Sequence, residues 1–164
     1  MRARGIPQPG ASPRDCSAWV GAPSKDAIAS AHMTRFVVDC GAVLKLAAEE
    51  VKIAAKHELL APTLLRSQTL SAMHEAVEAG KLERDVALDR LQRVNKLPIR
   101  LLGDAVLRRR AWEIADELGW ANTYDAEYVA LTQLQADAFI TLDANFARSL
   151  KGVVEIAKIE ALRR

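Results

Sequence analysis

Hydrophobic and polar residues follow two distinct patterns along this chain from Met33 onward. Short, uninterrupted apolar runs predict buried strands, at residues 35–39, 58–61, 98–102, 138–142 and 153–156. Between them, apolar residues recur every three or four positions, as they do on one face of an amphipathic helix. Helices are predicted at about residues 41–48, 51–57, 62–80, 83–95, 104–118 and 123–135, with a further short helix after residue 143.

The order of these elements predicts an α/β fold. Strands alternate with helices, and the apolar strand runs are unbroken, which is typical of a mainly parallel sheet covered on both faces. We therefore expect a three-layer α/β/α domain with a mainly parallel central sheet. In such sheets, ligands bind beyond the carboxyl ends of the strands, so polar residues directly after the strands are the candidates for function.

The first 32 residues follow neither pattern. Four of the six prolines and three of the eight glycines lie within the first 23 residues. Such a segment buries too little apolar surface to offset the entropy of ordering it. We predict a disordered N-terminal extension at residues 1–32 and one domain at residues 33–164; translation starting at Met33 is the alternative interpretation.

Composition narrows the class of protein. The 164 residues are 50% hydrophobic, which suits one domain with a sizeable core. Two cysteines make no disulfide framework, and no apolar run reaches the roughly 20 residues of a membrane span. We therefore expect a cytoplasmic protein without membrane contact. The net charge of +2 lies in residues 1–32 and the remainder is neutral, so nucleic-acid binding would need local charge or a bound cation.

Three aspartates occupy candidate positions. Asp39 and Asp143 follow predicted strands, and Asp125 lies in the first turn of a predicted helix. Each one alone is typical of a helix cap or of an acid that complements the helix dipole. If the sheet is parallel, however, the strand ends meet and the three carboxylates share one pocket. Crowded carboxylates repel one another, so they either take up protons or hold a cation.

A site of this kind favours a hard cation. Oxygen donors without His or Cys favour Mg²⁺ or Mn²⁺, and Mg²⁺ commonly binds one or two carboxylates together with a substrate phosphate. Phosphodiester hydrolysis is the predicted chemistry, because a bound divalent ion activates water and stabilises the leaving oxygen. A phosphatase with an aspartyl nucleophile is disfavoured, because Gly41 stands where a second Asp is expected two residues after Asp39.

The sequence strings around these aspartates are residues 36–39 (FVVD), 123–131 (TYDAEYVAL) and 139–143 (FITLD). They resemble the motifs of PIN-domain proteins, and most closely those of VapC-type toxins of bacterial toxin–antitoxin pairs. The resemblance covers about residues 33–164. It implies a PIN-like fold and a metal-dependent endoribonuclease that cleaves RNA, acts as a homodimer and is restrained by a VapB-like antitoxin. It also implies that the three aspartates are catalytic and hold the Mg²⁺ or Mn²⁺.

Gln68 departs from the family pattern. Family members usually carry Glu at this point, early in the helix after the second strand, in an Ala-Pro-x-Leu-x-x-x-Glu context. A Gln carbonyl can still orient a water, but the negative charge is lost, which weakens metal binding. Glu75 lies two turns away, about 10 Å along the helix, and is a poor substitute. Two predictions stay open: a ribonuclease in which Gln68 orients water, and a PIN-fold binding module that no longer cuts.

Three further residues are candidates for substrate binding. The resemblance predicts that Thr141 hydrogen-bonds a carboxylate or a phosphate; an ordinary strand threonine is the alternative. Arg108 and Arg109 belong to a basic helical cluster that could follow an RNA backbone, although most such clusters are simply solvated faces. Trp112 and Trp120 are predicted to pack in the core or in a dimer interface.

Overall fold

The computed structural model describes residues 33–163, and the predicted disordered extension at residues 1–32 lies outside them. Within the described range the strands are β1 (Thr34–Val38), β2 (His57–Pro62), β3 (Ile99–Leu102) and β4 (Ala138–Ile140). The helices are α1 (Cys40–Glu49), α2 (Leu65–Glu78), α3 (Arg84–Lys96), α4 (Ala105–Leu118), α5 (Tyr124–Gln135) and α6 (Ala144–Ser149), followed by a 3-10 helix (Ile159–Arg163).

The four strands form one parallel sheet in the order β3-β2-β1-β4. In the central strand β1, Phe36 pairs with Leu59 of β2 on one side and with Ala138 of β4 on the other. Helices α1, α2 and α3 pack on one another, and α4 packs on α5. The predicted three-layer α/β/α architecture with a parallel central sheet is confirmed.

Strands β1 and β4 are buried on both faces, which explains their unbroken apolar sequences. Val37 and Val38 of β1 and Phe139 and Ile140 of β4 have no exposed surface. The ring of Phe139 lies in the middle of this core, with its centroid 6.0 Å from that of Tyr128 on α5. Because successive residues of a strand point to opposite faces, only a sheet covered on both sides accepts such runs.

Two predicted elements are absent from the described residues. Residues 51–56 form a loop that ends in a turn, with the amide of His57 at the start of β2 donating to the Ala54 carbonyl, because the chain must return within a few residues from α1 to β2. Residues 153–156 form only an isolated bridge between Ile156 and Phe139. The adjacent strand β4 is three residues long, so it offers little length for pairing.

Other differences are smaller. Helix α2 begins at Leu65 instead of Pro62, because Pro62 still pairs with Leu102 in the sheet. Val86 at the start of α3 is 45% exposed, whereas the next residue, Ala87, is buried. Within the described part of the chain, every helix is too short or too polar to cross a bilayer.

The C-terminal end of α1 provides a stability prediction. Glu50 has a φ of 50° and is the one non-glycine residue with positive φ among those described. Glycine adopts this conformation without a Cβ clash, so Glu50→Gly is expected to raise the free energy of unfolding by about 0.5–1 kcal/mol. The exposed ion pair between Glu50 and Arg93 is lost, at small cost.

The matched substitution is Gly119→Ala at the end of α4, where φ is 68°. It is expected to lower the free energy of unfolding by about 1 kcal/mol, because alanine is strained in this region. Urea denaturation of both variants measures the two effects. A loss of stability in Glu50→Gly would mean that the ion pair with Arg93 outweighs the backbone strain.

Candidate functional site

All four residues predicted to take part in catalysis line one cavity of about 260 Å³: Asp39, Gln68, Asp125 and Asp143. Asp39 directly follows β1, and Asp143 begins α6 shortly after β4, so both lie at the carboxyl edge of neighbouring parallel strands. Asp125 comes from the first turn of α5. Topology therefore brings together carboxylates that are far apart in the sequence, while their catalytic and metal-binding roles stay predictions.

Two of these carboxylates also cap helices. Oδ1 of Asp39 accepts a hydrogen bond from the Ala42 amide at 2.7 Å, at the start of α1. Oδ1 of Asp143 accepts from the amides of Asn145 and Phe146 at 2.8 and 2.9 Å, at the start of α6. The capping interpretation is thus correct for both residues, and it does not compete with a site, because the caps fix the carboxylates at the cavity wall.

Thr141 lies close to both capping aspartates. Its Oγ1 accepts a hydrogen bond from the Asp143 amide at 3.1 Å, and its side chain lowers the pKa of the nearby Asp39 carboxyl group. Hydrogen bonding of Thr141 to a carboxylate or a phosphate in a working site stays a prediction. Thr141 lies at the cavity between the ends of β1 and β4.

The cavity is electrostatically unfavourable for its own acids. Burial raises the pKa of Asp39, hydrogen bonds from Thr141 and from the Ala42 amide lower it, and the charges of Asp125 and Asp143 raise it again. Burial also raises the pKa of Asp125, with a further contribution from Asp143. Because Asp125 and Asp143 make ionisation of Asp39 harder, and Asp143 does the same to Asp125, the group attracts protons or a cation.

Removing the hydroxyl of Thr141 is expected to raise the pKa of Asp39 further. In Thr141→Val the side-chain donor that lowers this pKa is lost, and the desolvation of the carboxylate remains. The carboxyl carbon shift of Asp39, followed by NMR against pH, measures the change. Thr132→Val, a buried threonine on α5 that bonds only its own helix backbone, is the control and should leave this titration unchanged. A titration of Asp39 unaltered by Thr141→Val would contradict this account.

Tyr128, which the sequence pattern does not mark as a site residue, also lines the cavity. Its side chain is 2% exposed, and its hydroxyl donates a hydrogen bond to Oε1 of Gln68. Burial raises its pKa, as do nearby Cys40 and the surrounding carboxylates, so the phenol stays protonated. A signal was available in the sequence, because a tyrosine on the buried face of a helix needs a partner for its hydroxyl.

The thiol of Cys40 is a further part of the cavity wall. Burial, followed by the charges of Asp39 and Glu75, raises its pKa to about 11. Because the thiolate is the reactive form, this cysteine is a neutral, weakly nucleophilic group at neutral pH. The chemistry of the cavity therefore depends on its oxygen atoms.

The predicted RNA-contacting arginines lie outside the cavity wall. Among the described residues that line the cavity, neither Arg108 nor Arg109 is present. Arg109 is paired along α4 with Glu113 at 3.2 Å, whereas Arg108 acts electrostatically on Glu127, two residues after Asp125. Arg108 is therefore close enough to α5 to act on Glu127, and RNA contact stays a prediction for both arginines.

The two tryptophans differ in their environments. Trp112 is 66% exposed on α4, outside the buried stripe of that helix, so it does not pack in the core, while its packing in a dimer interface stays a prediction. Trp120 is half-buried and packs against Phe146, with ring centroids 5.9 Å apart. Since Phe146 also lines the cavity, Trp120 packs against a residue of the cavity wall.

The donor set suits a hydrated hard cation. Within residues 33–163, no three His, Cys, Asp or Glu side chains are grouped as a ready metal site. Mg²⁺, however, binds through one or two carboxylates and retains several waters. The cavity of about 260 Å³ is large enough for a cation together with several waters. Asp39, Asp125 and Asp143 are the residues that would hold such an ion.

Comparison with known proteins supports the fold. No family model matches the sequence, and no curated protein matches it. Among solved structures, the chain is similar to the crystal structure of PAE2754 from Pyrobaculum aerophilum. The TM-score is 0.61 at 24% sequence identity, and the match covers 80% of this chain and 94% of the other. At this identity the likeness concerns the fold alone.

Proposed function

We propose that this protein is a Mg²⁺- or Mn²⁺-dependent endoribonuclease of the PIN type that hydrolyses RNA phosphodiester bonds. The observation that supports this function best is the meeting of Asp39, Asp125 and Asp143 at one cavity. No lysine or arginine is among the described residues that line this cavity, so the carboxylates are not neutralised from within its wall. The missing positive charge is the one that a divalent ion would bring.

In this proposal, the protein's part is to hold and orient charge. The cation supplies activation of water and neutralisation of the phosphate. The three aspartates hold it, and the caps on α1 and α6 keep Asp39 and Asp143 from turning away. Thr141 keeps Asp39 oriented through its hydroxyl. Such preorganised charge lowers the barrier because it needs no rearrangement during the reaction.

The partners in this proposal follow from the same resemblance. RNA is the substrate, and Arg108, beside Glu127, would contact a phosphate that flanks the cavity. A VapB-like antitoxin would restrain the activity, and two copies of the chain would form a homodimer in the cytoplasm. The sequence strings around the three aspartates support these partners.

A binding module that does not cut RNA is the second candidate. This candidate is supported by the chemistry of Gln68. Its amide adds no negative charge to the cavity, and its carbonyl oxygen already accepts a hydrogen bond from Tyr128. A cation would therefore meet three carboxylates where four are usual in the family. In this alternative the same cavity binds a partner and has lost its hydrolytic activity.

RNA cleavage in Mn²⁺ separates the two candidates. A ribonuclease cleaves single-stranded RNA, stops on addition of EDTA and is inactivated by Asp125→Asn. The matched control is Asp116→Asn, an exposed aspartate on α4 away from the cavity, which should cleave like the wild type. If the wild type does not cleave RNA while Gln68→Glu does, the binding module is correct and the ribonuclease proposal fails.

A further inference from the structure

The contact between Tyr128 and Gln68 joins two helices across the cavity. Tyr128 belongs to α5, and its ring packs against Phe139 in the core with the centroids 6.0 Å apart. Gln68 belongs to α2 and is half-buried at the cavity wall. The tyrosine hydroxyl donates its hydrogen bond to Oε1, the carbonyl oxygen of the Gln68 amide. Because the tyrosine ring is fixed by packing, the hydroxyl is a fixed donor.

This bond determines which chemistry Gln68 offers to the cavity. A carboxamide has one end that accepts hydrogen bonds, the carbonyl oxygen, and one end that only donates, the NH₂ group. Because the Tyr128 hydroxyl holds the carbonyl oxygen, that end of the amide is turned to Tyr128, and the NH₂ group is the end without a hydrogen-bond partner among the described residues. An N–H donor does not ligate a cation or accept a proton from water, but it binds a phosphate oxygen well.

A glutamate at this position would act differently. Its two carboxylate oxygens are both acceptors, so one can take the hydrogen bond from Tyr128 while the other faces a cation or its water. The exchange of Glu for Gln at residue 68 therefore replaces a cation-facing acceptor with an anion-facing donor. The tyrosine hydroxyl is what fixes that orientation.

We propose that Tyr128 is a positioning residue that holds the carbonyl of Gln68, so that the Gln68 amide binds a phosphate oxygen of the substrate. This inference rests on the proposed ribonuclease function and replaces the expectation that Gln68 orients water. It assigns metal binding to the aspartates alone and a substrate contact to the amide. The contact suits a phosphodiester chain, whose anionic oxygens accept hydrogen bonds.

Two affinities measured on the same variants test the inference. Mn²⁺ binding is measured by calorimetry without RNA, and binding of a labelled single-stranded RNA is measured by fluorescence anisotropy in Ca²⁺. Gln68→Ala is expected to weaken RNA binding about tenfold, as for a lost hydrogen bond to a charged group, and to leave Mn²⁺ affinity within about twofold. Tyr128→Phe is expected to weaken RNA binding but to tighten Mn²⁺ binding about two- to fivefold, since the freed carbonyl can then turn to the cation.

The double variant shows whether Tyr128 acts through Gln68. If it does, Tyr128→Phe adds nothing to the loss of RNA affinity in Gln68→Ala, because the amide is already gone. Tyr124→Phe, an exposed tyrosine at the start of the same helix, is the control and should change neither affinity. Gln68→Glu should tighten Mn²⁺ binding about tenfold and weaken RNA binding.

The failures are distinguishable. A wild type that binds no Mn²⁺ and cleaves no RNA overturns the proposed function and this inference with it. If the wild type does both, and Gln68→Ala keeps full RNA affinity, only this inference is overturned. This inference is also overturned if Tyr128→Phe lowers the affinities for Mn²⁺ and for RNA by the same factor, because that result is expected when Tyr128 only stabilises the fold.

Discussion

Replacing Asp39 with Asn is expected to reduce Mn²⁺-dependent RNA cleavage by at least about 100-fold, as for loss of a preorganised charge at a reacting centre. The same variant is expected to be at least as stable as the wild type without metal. Its side-chain carbonyl can still accept from the Ala42 amide and from Thr141, so the cap on α1 is kept. Activity and stability therefore move in opposite directions.

The difference in stability between Asp39→Asn and the wild type depends on pH, because the pKa of Asp39 is raised in the folded protein. A carboxyl group whose pKa is higher in the folded than in the unfolded chain contributes stability in its protonated form. That contribution is present below the pKa that the group has in the unfolded chain, and it is lost as the pH rises through the pKa that the group has in the folded chain. At neutral pH the wild type carries a partly buried charge that Asn lacks, so the advantage of Asp39→Asn should shrink as the solution is acidified.

Asp39→Ala is the matched control for stability. It removes the charge and also the cap, so it is expected to lie about 1 kcal/mol below Asp39→Asn in free energy of unfolding. Thermal denaturation without metal at neutral pH and at a pH of about 4 gives the comparison. If Asp39→Asn is destabilised as strongly as Asp39→Ala, the charge of Asp39 does not destabilise the folded protein, and the expected gain in stability is wrong. If it keeps cleaving RNA, Asp39 does not hold the cation.

Phe139→Ala is expected to destabilise the protein by about 3–5 kcal/mol, the cost of removing a large aromatic side chain from a packed core. Phe139 is fully buried in β4, and its ring contacts those of Tyr128 and Phe146. Both neighbours line the cavity. A loss of this size is a large part of the 5–15 kcal/mol that typically stabilises a domain.

Trp112→Ala is the control for the loss of an aromatic ring. Because Trp112 is 66% exposed, its removal is expected to change the free energy of unfolding by no more than about 0.5 kcal/mol. Urea denaturation of both variants gives the two values. Similar losses in the two variants would show that Trp112 is covered in solution, as in a dimer interface, or that the core around Phe139 can collapse.

Most of the fold could be predicted because its signals are local. The unbroken apolar run of residues 36–38 already requires a strand that is buried on both faces, and Leu65, Thr69 and Met73 mark the buried stripe of α2. The two wrong elements share a physical cause. Residues 51–57 and 153–156 are apolar enough to belong to an element, but pairing and helix formation depend on neighbours that a local pattern does not contain.

The candidate site could be predicted in part. Asp39 and Asp143 could be identified because each follows a strand, and the parallel order of those strands brings their ends together. Tyr128 was not singled out, because a tyrosine on the buried face of a helix is first of all a core residue. Its hydroxyl becomes important only through the contact with Gln68, which is 60 residues away in the chain.

Residue type and spacing within short windows were enough to predict the alternation of strands and helices, the parallel sheet and the three aspartates at element ends. Packing then creates the cavity around these carboxylates, without a basic residue in its described wall, and brings the hydroxyl of Tyr128 to the carbonyl of Gln68. A local pattern does not contain these features, because desolvation and hydrogen bonding between distant segments exist only after the chain has packed.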